Sequence, residues 1–481
     1  MPATTDNQRD TRVPLVIDLD GTLIRTDMMW ESLACLLRKN PLAALQSPVW
    51  LLHGRAHFKQ QLAARVQVNA ASLPYHEDLL DWLREEKRSG RKLILATASD
   101  LAMAKAVAQH VGLFDDVLAS DGRTNLRDKA KRTVLTQRFG ERGFDYAGNS
   151  SPDLDVWNGA REAIVVNAGN GLERKVPARA KLGRVFHAKT SFAPALVRSL
   201  RLHQWLKNLI VFVPVLTAHK LSDPHALSTG ALAVLAFCLC ASAVYLSNDF
   251  LDLEADRQHP AKRNRPFAAG CLPLPFGLLG SLLFLLGALG IAFALSWSFA
   301  AVVAVYFALA SAYSIYLKQV VLLDVFVLAG LYTLRLIAGH VATGIAYSPW
   351  LLVFCMFIFL SLALLKRFLE LQSLRLQNRH EAKGRGYTTG DLEPVTTLGL
   401  VSGYLAVLVM ALYVDSELVM RFYTHPLRLL LVCPLLLFWV SRFWFLAHRG
   451  QMHDDPTAFA LKDGVSYVVG ALILIVMWLA T

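Results

Sequence analysis

The chain has 481 residues, 54% of them hydrophobic and 18% charged, with a mean hydropathy of +0.39; it is too apolar for an ordinary soluble protein and long enough for two domains. Its 49 Lys and Arg against 37 Asp and Glu leave a net charge of +12, which basic loops between apolar segments and a juxtamembrane stretch at about 174–201 explain without a nucleic-acid partner. Six cysteines, none in a CxxC pair and most within apolar segments, speak against a disulfide framework or a zinc site.

Up to about residue 190 the polarity is that of a globular domain. Residues 1–12 are polar and hold no apolar h-region, so no signal peptide is expected to export this domain. Residues 13–18 read as a short buried strand ending in a turn at Asp18, Asp20, Gly21 and Thr22, the place where open α/β sheets present reactive groups. A carboxylate there can attack phosphorus. A second carboxyl two residues on, on the same side of an extended chain, can protonate the leaving oxygen. Two further strand ends supply partners, one at Thr97 and Ser99, the other at Gly148, Asn149, Ser150 and Asp153, with Lys131 between them.

Together these resemble the four motifs of the haloacid dehalogenase-like (HAD) phosphatases over about residues 13–170. The resemblance implies that Asp18 is the aspartyl nucleophile and Asp20 the general acid and base. It implies that Thr97 and Lys131 hold the transferred phosphoryl group, Lys129 being a less well-spaced alternative to Lys131, and that Mg²⁺ sits on Asp18, Asp20, Asn149 and Asp153. The family usually has an acidic residue where this chain has Asn149; an amide oxygen still ligates Mg²⁺ but lacks the charge that helps retain it. The segment at about 27–90, with helix-like stretches such as 79–87, is expected to be a small helical cap that limits which phosphate esters enter. A strand-like run at 163–167 is followed by Gly169 and Gly171, but Arg174 stands where GxGxxG needs its third glycine. That run reads as the last strand and exit loop of the sheet rather than a dinucleotide site.

A basic linker at 171–195 leads into the apolar part, 196–481. Nine stretches there are candidates to span a bilayer, at about 205–222, 226–247, 272–296, 298–317, 320–340, 348–370, 395–414, 426–447 and 463–480. An odd number places the two termini on opposite sides. Lys and Arg gather at 257–265, at Lys318 and at 366–385, all in loops on the side of the N-terminal domain, whereas the opposite loop with Asp415 and Glu417 is poor in positive charge. The positive-inside pattern therefore places the first domain in the cytoplasm and the spans in the cytoplasmic membrane.

Asn248, Asp249, Asp252, Glu254 and Asp256 stand where the second span gives way to charge. Acidic side chains at a membrane boundary are costly unless something cationic offsets them. On a continued helix Asp249, Asp252 and Asp256 follow i, i+3, i+7 and fall within roughly 60° of one another. Such hard oxygen ligands suit Mg²⁺ carrying a diphosphate, and Lys262, Arg263 and Arg265 follow at once to hold the remaining phosphate charge. The alternative is a solvated acidic loop balanced by positive-inside arginines. Farther on, Tyr313 and Lys318 end the fourth span, Asp324 and Arg335 lie inside the fifth, and Lys366 and Arg367 close the sixth beside Glu370. An intramembrane arginine is a functional candidate by default, with a structural ion pair as its alternative. Basic residues at a span end also snorkel, which makes Lys366 and Arg367 weaker candidates than Arg335.

The pattern NDxxDxxxD resembles the first aspartate motif of the UbiA superfamily of intramembrane prenyltransferases. Arg201, His203, Gln204, Trp205, Lys207 and Asn208, the continuation at 256–266, and the late Met452, His453, Asp454, Asp455 and Pro456 look like one branch within it, the decaprenyl-phosphate phosphoribosyltransferases, over about 195–481. The second aspartate-rich motif of the aromatic prenyltransferases is reduced here to Asp324, a departure that favours the phosphoribosyl branch. The combined resemblance implies an α/β HAD-like domain with a small cap, followed by an all-α polytopic UbiA-like domain of about nine helices. It implies a bifunctional membrane enzyme whose catalytic carboxylates are Asp18 and Asp20 in one domain and Asp249 and Asp252 in the other. Phosphoribosyl diphosphate would bind through Mg²⁺ on Asn248, Asp249, Asp252 and Asp256, with Lys262, Arg263, Arg265, Tyr313 and Lys318 around its phosphates. Arg335 or Lys366 would hold the headgroup of a polyprenyl phosphate, with Arg367 a further phosphate-binding candidate. The HAD domain would then remove the 5-phosphate, giving polyprenyl phosphoryl-ribose for envelope glycans. An aromatic-acceptor prenyltransferase with an attached phosphatase, a transferase with a silent HAD scaffold, and a non-enzymatic transporter or scaffold are the alternatives. Both a monomer and a symmetric oligomer fit the sequence.

Overall fold

The computed structural model describes residues 12–120, 126–168, 171–176, 180–187, 192–260, 262–381, 385–414, 419, 423–452 and 455–481. The expected polar leader before residue 12, the loop with Asp415 and Glu417, and His453 and Asp454 lie outside them. The chain divides into two compact units: Met1–Leu200 with Tyr245–Ser281, and Arg201–Val244 with Leu282–Thr481.

In the first unit, Leu15, Val16 and Ile17 form β1 (Leu15–Ile17), buried on both faces as a central parallel strand must be. β2 (Leu93–Asp100), β3 (Asp116–Ser120), β4 (Asp145–Gly148), β5 (Glu162–Ala168) and β6 (Lys181–His187) complete a parallel sheet in the order β3-β2-β1-β4-β5-β6. Because the chain builds outward to β3 and then crosses back to β4, the switch of direction falls between β1 and β4. Asp18, the first residue after β1, stands at that point, where open α/β sheets bind ligands. β6 arises from a stretch expected as basic linker; only Phe186 of its seven residues is buried, so an edge strand with a wet outer face hides within a basic composition.

Between β1 and β2 the chain makes a cap of α1 (Met28–Lys39), α2 (Pro41–Ala44), α3 (Ser47–Leu52) and α4 (Arg55–Arg65). Asp27 caps α1 by accepting from the Met29 amide, and Asn40 caps α2 by accepting from that of Ala43. Leu33, Leu36, Trp50, Phe58, Leu62 and Val66 give the cap its own core. The cap is shorter than expected. α5 (Glu77–Arg88) turns Leu79, Leu80, Trp82 and Leu83 into the core of the sheet, so its amphipathic face belongs to the sheet layer. α6 (Leu101–Val111), α7 (Lys129–Phe139) and α8 (Asp153–Trp157) make the remaining crossovers. At the far end of the strands Arg91 donates to the Val13 carbonyl at 3.0 Å, to Glu86 at 3.0 Å and to the fully buried Asp145, tying β1 to β4.

After α9 (Phe192–Leu200), a 3₁₀ helix (Leu202–Phe212) and α10 (Val213–Thr217) occupy the first expected span. Pro214, the second residue of α10, has no amide hydrogen to continue a helix from the preceding turn, so this stretch forms two short pieces. Seven helices among the described residues are long and apolar enough to cross a membrane. They are α11 (Pro224–Leu251), α13 (Pro275–Leu295), α14 (Trp297–Ile315), α15 (Leu323–Thr343), α16 (Pro349–Leu376), α17 (Leu392–Val414, with a 3₁₀ turn before it) and α18 (Val432–His448, continuing a 3₁₀ stretch Pro426–Leu431). Short helices α12 (Leu253–Gln258) and α19 (Pro456–Ala460) stand between them, and a last apolar helix, α20 (Gly464–Ala480), has 17 residues.

Candidate active sites

Hydrogen bonds at the carboxyl ends of β1, β2 and β4 gather the expected residues of the first domain. Asp18 accepts from Lys131 Nζ at 2.7 Å, and the same ammonium donates to Tyr146 Oη at 3.0 Å. Tyr146 in turn donates to Asp153 Oδ1 at 2.8 Å. Asp153 Oδ2 accepts from the amides of Asn149 and Ser150 and from the Ser150 hydroxyl, each at 3.0 Å. Asp153 thus shapes the loop that carries Asn149. Asp20 accepts from the Met28 amide at 2.8 Å and from Ser99 Oγ at 2.7 Å, while Thr97 Oγ1 lies 3.5 Å away and itself accepts from the Ser99 amide. Gly21 turns the chain between them at φ +76°, and a Cβ there would fall 2.1 Å from Asn149 Nδ2. Only glycine meets both demands.

Burial raises the Asp18 carboxyl to about 7 despite the pull of Lys131, with Asp153 and Asp20 adding to the rise. Burial, reinforced by Asp27, raises Asp20 to about 6. Burial alone would lower Lys131, but the surrounding carboxylates hold it above its ordinary value. Asp18, Asp20, Lys131, Asn149 and Asp153 border one cavity of about 1080 Å³. Crowded carboxylates pushed towards protonation are what a divalent cation would relieve, and Asp18, Asp20 and Asn149 offer the hard oxygens that Mg²⁺ takes. Among the described residues no group of three or more His, Cys, Asp or Glu side chains is arranged around a metal position. A bound Mg²⁺ would therefore complete its shell from Asn149, phosphate and water, as this ion commonly does.

The aspartate pattern also lies in the first unit. α11 ends at Leu251 and α12 resumes at Leu253, yet Asp252 N still donates to Asn248 O at 2.9 Å and Asp256 N to Asp252 O at 2.8 Å. The helical register is kept across the break. Asp249 and Asp256 consequently share a face and meet one guanidinium, with Arg265 Nη1 at 3.2 Å and 2.7 Å from them. Asp252 is drawn aside to Arg38 of α1 at 3.2 Å. The cluster expected of all three carboxylates is thus divided between two arginines. Burial, only partly offset by Arg265, raises Asp256 above the ordinary carboxylate range. Lys262 and Arg263 are exposed. Further ties join this segment to the cap: Arg257 donates to both oxygens of Glu31 at 3.0 and 2.6 Å, and Asn69 donates to Glu254 at 3.1 Å.

The second unit holds three charged clusters. Arg335 is buried and donates to Asn208 Oδ1 at 2.8 Å, to the Leu331 carbonyl at 2.7 Å and to Tyr306 Oη at 2.7 Å. It also lies over the rings of Tyr306 and Tyr332. Arg367, fully buried, pairs with the equally buried Asp324 at 2.6 Å and with Glu370, while Tyr387 Oη donates to Asp324 at 2.7 Å. Asp324 therefore answers Arg367 on the neighbouring helix rather than Arg335 on its own. Lys366 and Lys207 flank Asp455, Lys207 at 3.4 Å, and although burial opposes it they hold that carboxyl well below the usual range. Tyr313, in the last turn of α14, is half-buried at the core's edge, and Lys318 sits in the turn after that helix. Lys207 and Asp455 were not singled out as site residues, although both lie in sequence motifs noted above.

The sequence profile of the UbiA prenyltransferase family matches residues 209–479, and that of the haloacid dehalogenase-like hydrolases matches residues 15–156. A relative from Sinorhizobium fredii, the uncharacterized protein y4nM, is 39% identical over 467 residues, covering 96% of this chain and 90% of its own length. The nodulation protein NoeC of Azorhizobium caulinodans is 37% identical over 271 residues, 56% of this chain and 87% of the relative. A decaprenyl-phosphate phosphoribosyltransferase of Mycolicibacterium smegmatis is 40% identical over 215 residues, 42% of this chain and 65% of the relative.

Proposed function

The chain belongs to the UbiA prenyltransferase family, as an integral membrane protein with an N-terminal HAD-like domain, and from that premise we propose that it makes and then trims a lipid-linked phosphosugar. The transferase part moves 5-phosphoribose from phosphoribosyl diphosphate to a polyprenyl phosphate such as decaprenyl phosphate. The HAD-like domain then hydrolyses the 5-phosphate on the cytoplasmic side of the inner membrane, giving polyprenyl phosphoryl-ribose for envelope glycan synthesis. The likeness to decaprenyl-phosphate phosphoribosyltransferases supports the first step. The observation that carries the coupling is that the aspartate segment and Asp18 belong to one compact unit, residues 270–278 after the aspartates lining the Asp18 cavity.

For the transfer step Asn248, Asp249, Asp252 and Asp256 would hold Mg²⁺, which would supply charge stabilisation to the leaving group, and Lys262, Arg263 and Arg265 neutralise the departing diphosphate. Arg265 and Arg38 give up their carboxylates as the anionic substrate enters, and Arg265 then turns to phosphate. As the C1–O bond breaks, positive charge grows at the ribose C1 and the phosphate oxygen of the lipid attacks there. Lys366, partly exposed although paired with Asp455, is the cation best suited to that headgroup, because Arg335 and Arg367 are buried against their protein partners.

In the hydrolytic step Asp18 attacks phosphorus while Asp20, with its carboxyl near 6, protonates the ribose oxygen as it leaves. Asp20, held by Met28 N and Ser99 Oγ, then takes a proton from the water that hydrolyses the aspartyl phosphate. Lys131 stays on the phosphoryl oxygens throughout. The test is to incubate purified protein with labelled phosphoribosyl diphosphate, decaprenyl phosphate and Mg²⁺ and to weigh the lipid product. Labelled lipid without the 5-phosphate, retaining it in Asp18→Asn, is expected; unlabelled lipid overturns the transferase assignment.

A further inference from the structure

The cavity of Asp18 and Asp20 has two natures. Carboxylates, Lys131, Lys59 and Arg25 border one part, while Trp30, Leu33, Leu51 and Phe58 of the cap and Leu274 and Leu278 border the rest. At about 1080 Å³ it exceeds the usual range of small-ligand pockets, far more than a phosphorylated pentose needs. Leu278 lies in the first turn of α13, a helix long and apolar enough to cross a membrane, and it packs against the cap core around Leu33, Trp50 and Phe58.

The outside of the cap is equally unusual. Within residues 41–52, Leu42, Leu45, Val49, Leu51 and Leu52 are between 51% and 86% exposed. Arg38 and Lys39 stand immediately before them. Contiguous apolar surface of this kind marks a contact with lipid or protein. A short helical pair with a cationic flank and bare leucines is the composition of an interfacial lipid element. Lipid is the occupant within reach, because the same compact unit includes the last turns of α11 and the first of α13, both candidate spans.

We propose that the hydrolase site draws amphiphilic phosphomonoesters directly from the bilayer. α2 and α3 rest in the lipid interface, and the inner side of α3, through Leu51, is continuous with the apolar wall of the cavity. The hydrocarbon of the substrate lies along Leu51, Phe58, Leu274 and Leu278 while its phosphate reaches Asp18. This rests on the hydrolase reading above and adds that an apolar tail, rather than the sugar, selects the substrate, with the first turn of α13, inside the same compact unit, supplying part of the selective wall. Water-soluble phosphate esters leave that wall unfilled and are poor substrates.

The test compares hexadecyl phosphate in phosphatidylcholine and phosphatidylglycerol vesicles with butyl phosphate in solution, using the full chain reconstituted in those vesicles with Mg²⁺. The expected kcat/KM for the long chain exceeds that for the short one at least tenfold. Leu51→Gln with Leu278→Gln lowers that ratio at least fivefold, and Leu42→Asp with Leu45→Asp, which changes only the exposed patch, lowers it at least threefold; the thermal unfolding transition reports that each variant is folded. Equal kcat/KM for the two esters, or a ratio that neither pair of substitutions moves, overturns the proposal and leaves the hydrolase reading standing. Hydrolysis of neither ester overturns both.

Discussion

Arg38, in the last turn of the first cap helix, lies 3.2 Å from Asp252 of the aspartate segment. The pair is about a third exposed on the arginine side, so it contributes only about 0.2–1 kcal/mol to stability. Its larger effect is on charge. Arg38→Ala is expected to leave the unfolding temperature nearly unchanged and to lower the Mg²⁺ concentration for half-maximal transferase activity about two- to fivefold. A Mg²⁺ titration decides it, and an unchanged or higher requirement would mean that Arg38 does not compete with the ion.

Arg367 and Asp324 are both fully buried and paired at 2.6 Å. Removing one partner strands the other charge, a loss of about 3–5 kcal/mol, whereas replacing both by apolar residues of similar volume is often near neutral. Arg367→Met is therefore expected to unfold at much lower temperature in detergent, and Arg367→Met with Asp324→Leu to recover most of the loss. If the double variant falls as far as the two single losses added together, the pair is not acting as a unit.

The metal-free hydrolase unit has a pH dependence of definite sign. Asp18 and Asp20 have folded values raised to about 7 and about 6, so the stability they contribute is complete below their unfolded values, near 4, and is lost as pH rises through 6 and 7. Mg²⁺ competes with protons for the same oxygens. Added Mg²⁺ is expected to raise the unfolding temperature more at pH 8 than at pH 5. Calorimetry of the Asp18→Asn variant should show that difference shrink.

Asn149 supplies an uncharged oxygen where the HAD family usually has a carboxylate. Asn149→Asp adds charge beside Asp18 and Asp20, raising their protonation in the free protein while strengthening the hold on a divalent ion. Phosphatase assays over a Mg²⁺ series are expected to show half-saturation at several-fold lower Mg²⁺. An unchanged requirement would place residue 149 outside the metal shell.

Much of the first domain was legible because a parallel sheet delivers its reactive groups at strand ends. The pattern around Asp18, Thr97, Asn149 and Asp153 needed only the strands to be right, and those residues converge as that pattern implies. Ser99, two residues beyond Thr97, was visible at the strand end, but its bond to Asp20 was not, because alternation gives no rank among hydroxyls there. Tyr146 escaped as the link from Lys131 to Asp153, since within a fully buried strand a tyrosine reads as core. In the apolar part, span lengths were readable but partners were not. Arg335 and Asp324 share a face by periodicity, yet each answers groups on other helices, Asn208 and Tyr306 for one and Arg367 for the other. The ties from Asn69 to Glu254 and from Glu31 to Arg257 cross 185 and 226 residues, and nothing local in the sequence records them.

The first compact unit is built from two separated stretches, Met1–Leu200 and Tyr245–Ser281. A ribosome releasing the N-terminal stretch has not yet made Arg257, Gly270 or Leu278, so Glu31, Arg25 and the cap core wait for partners that arrive only after α11 has been synthesised. Completion of the hydrolase thus follows delivery of the first long apolar helix to the membrane. Severing the gene at the apparent boundary near residue 200 would separate the two stretches of this unit, which makes continuity of the chain a condition of its assembly.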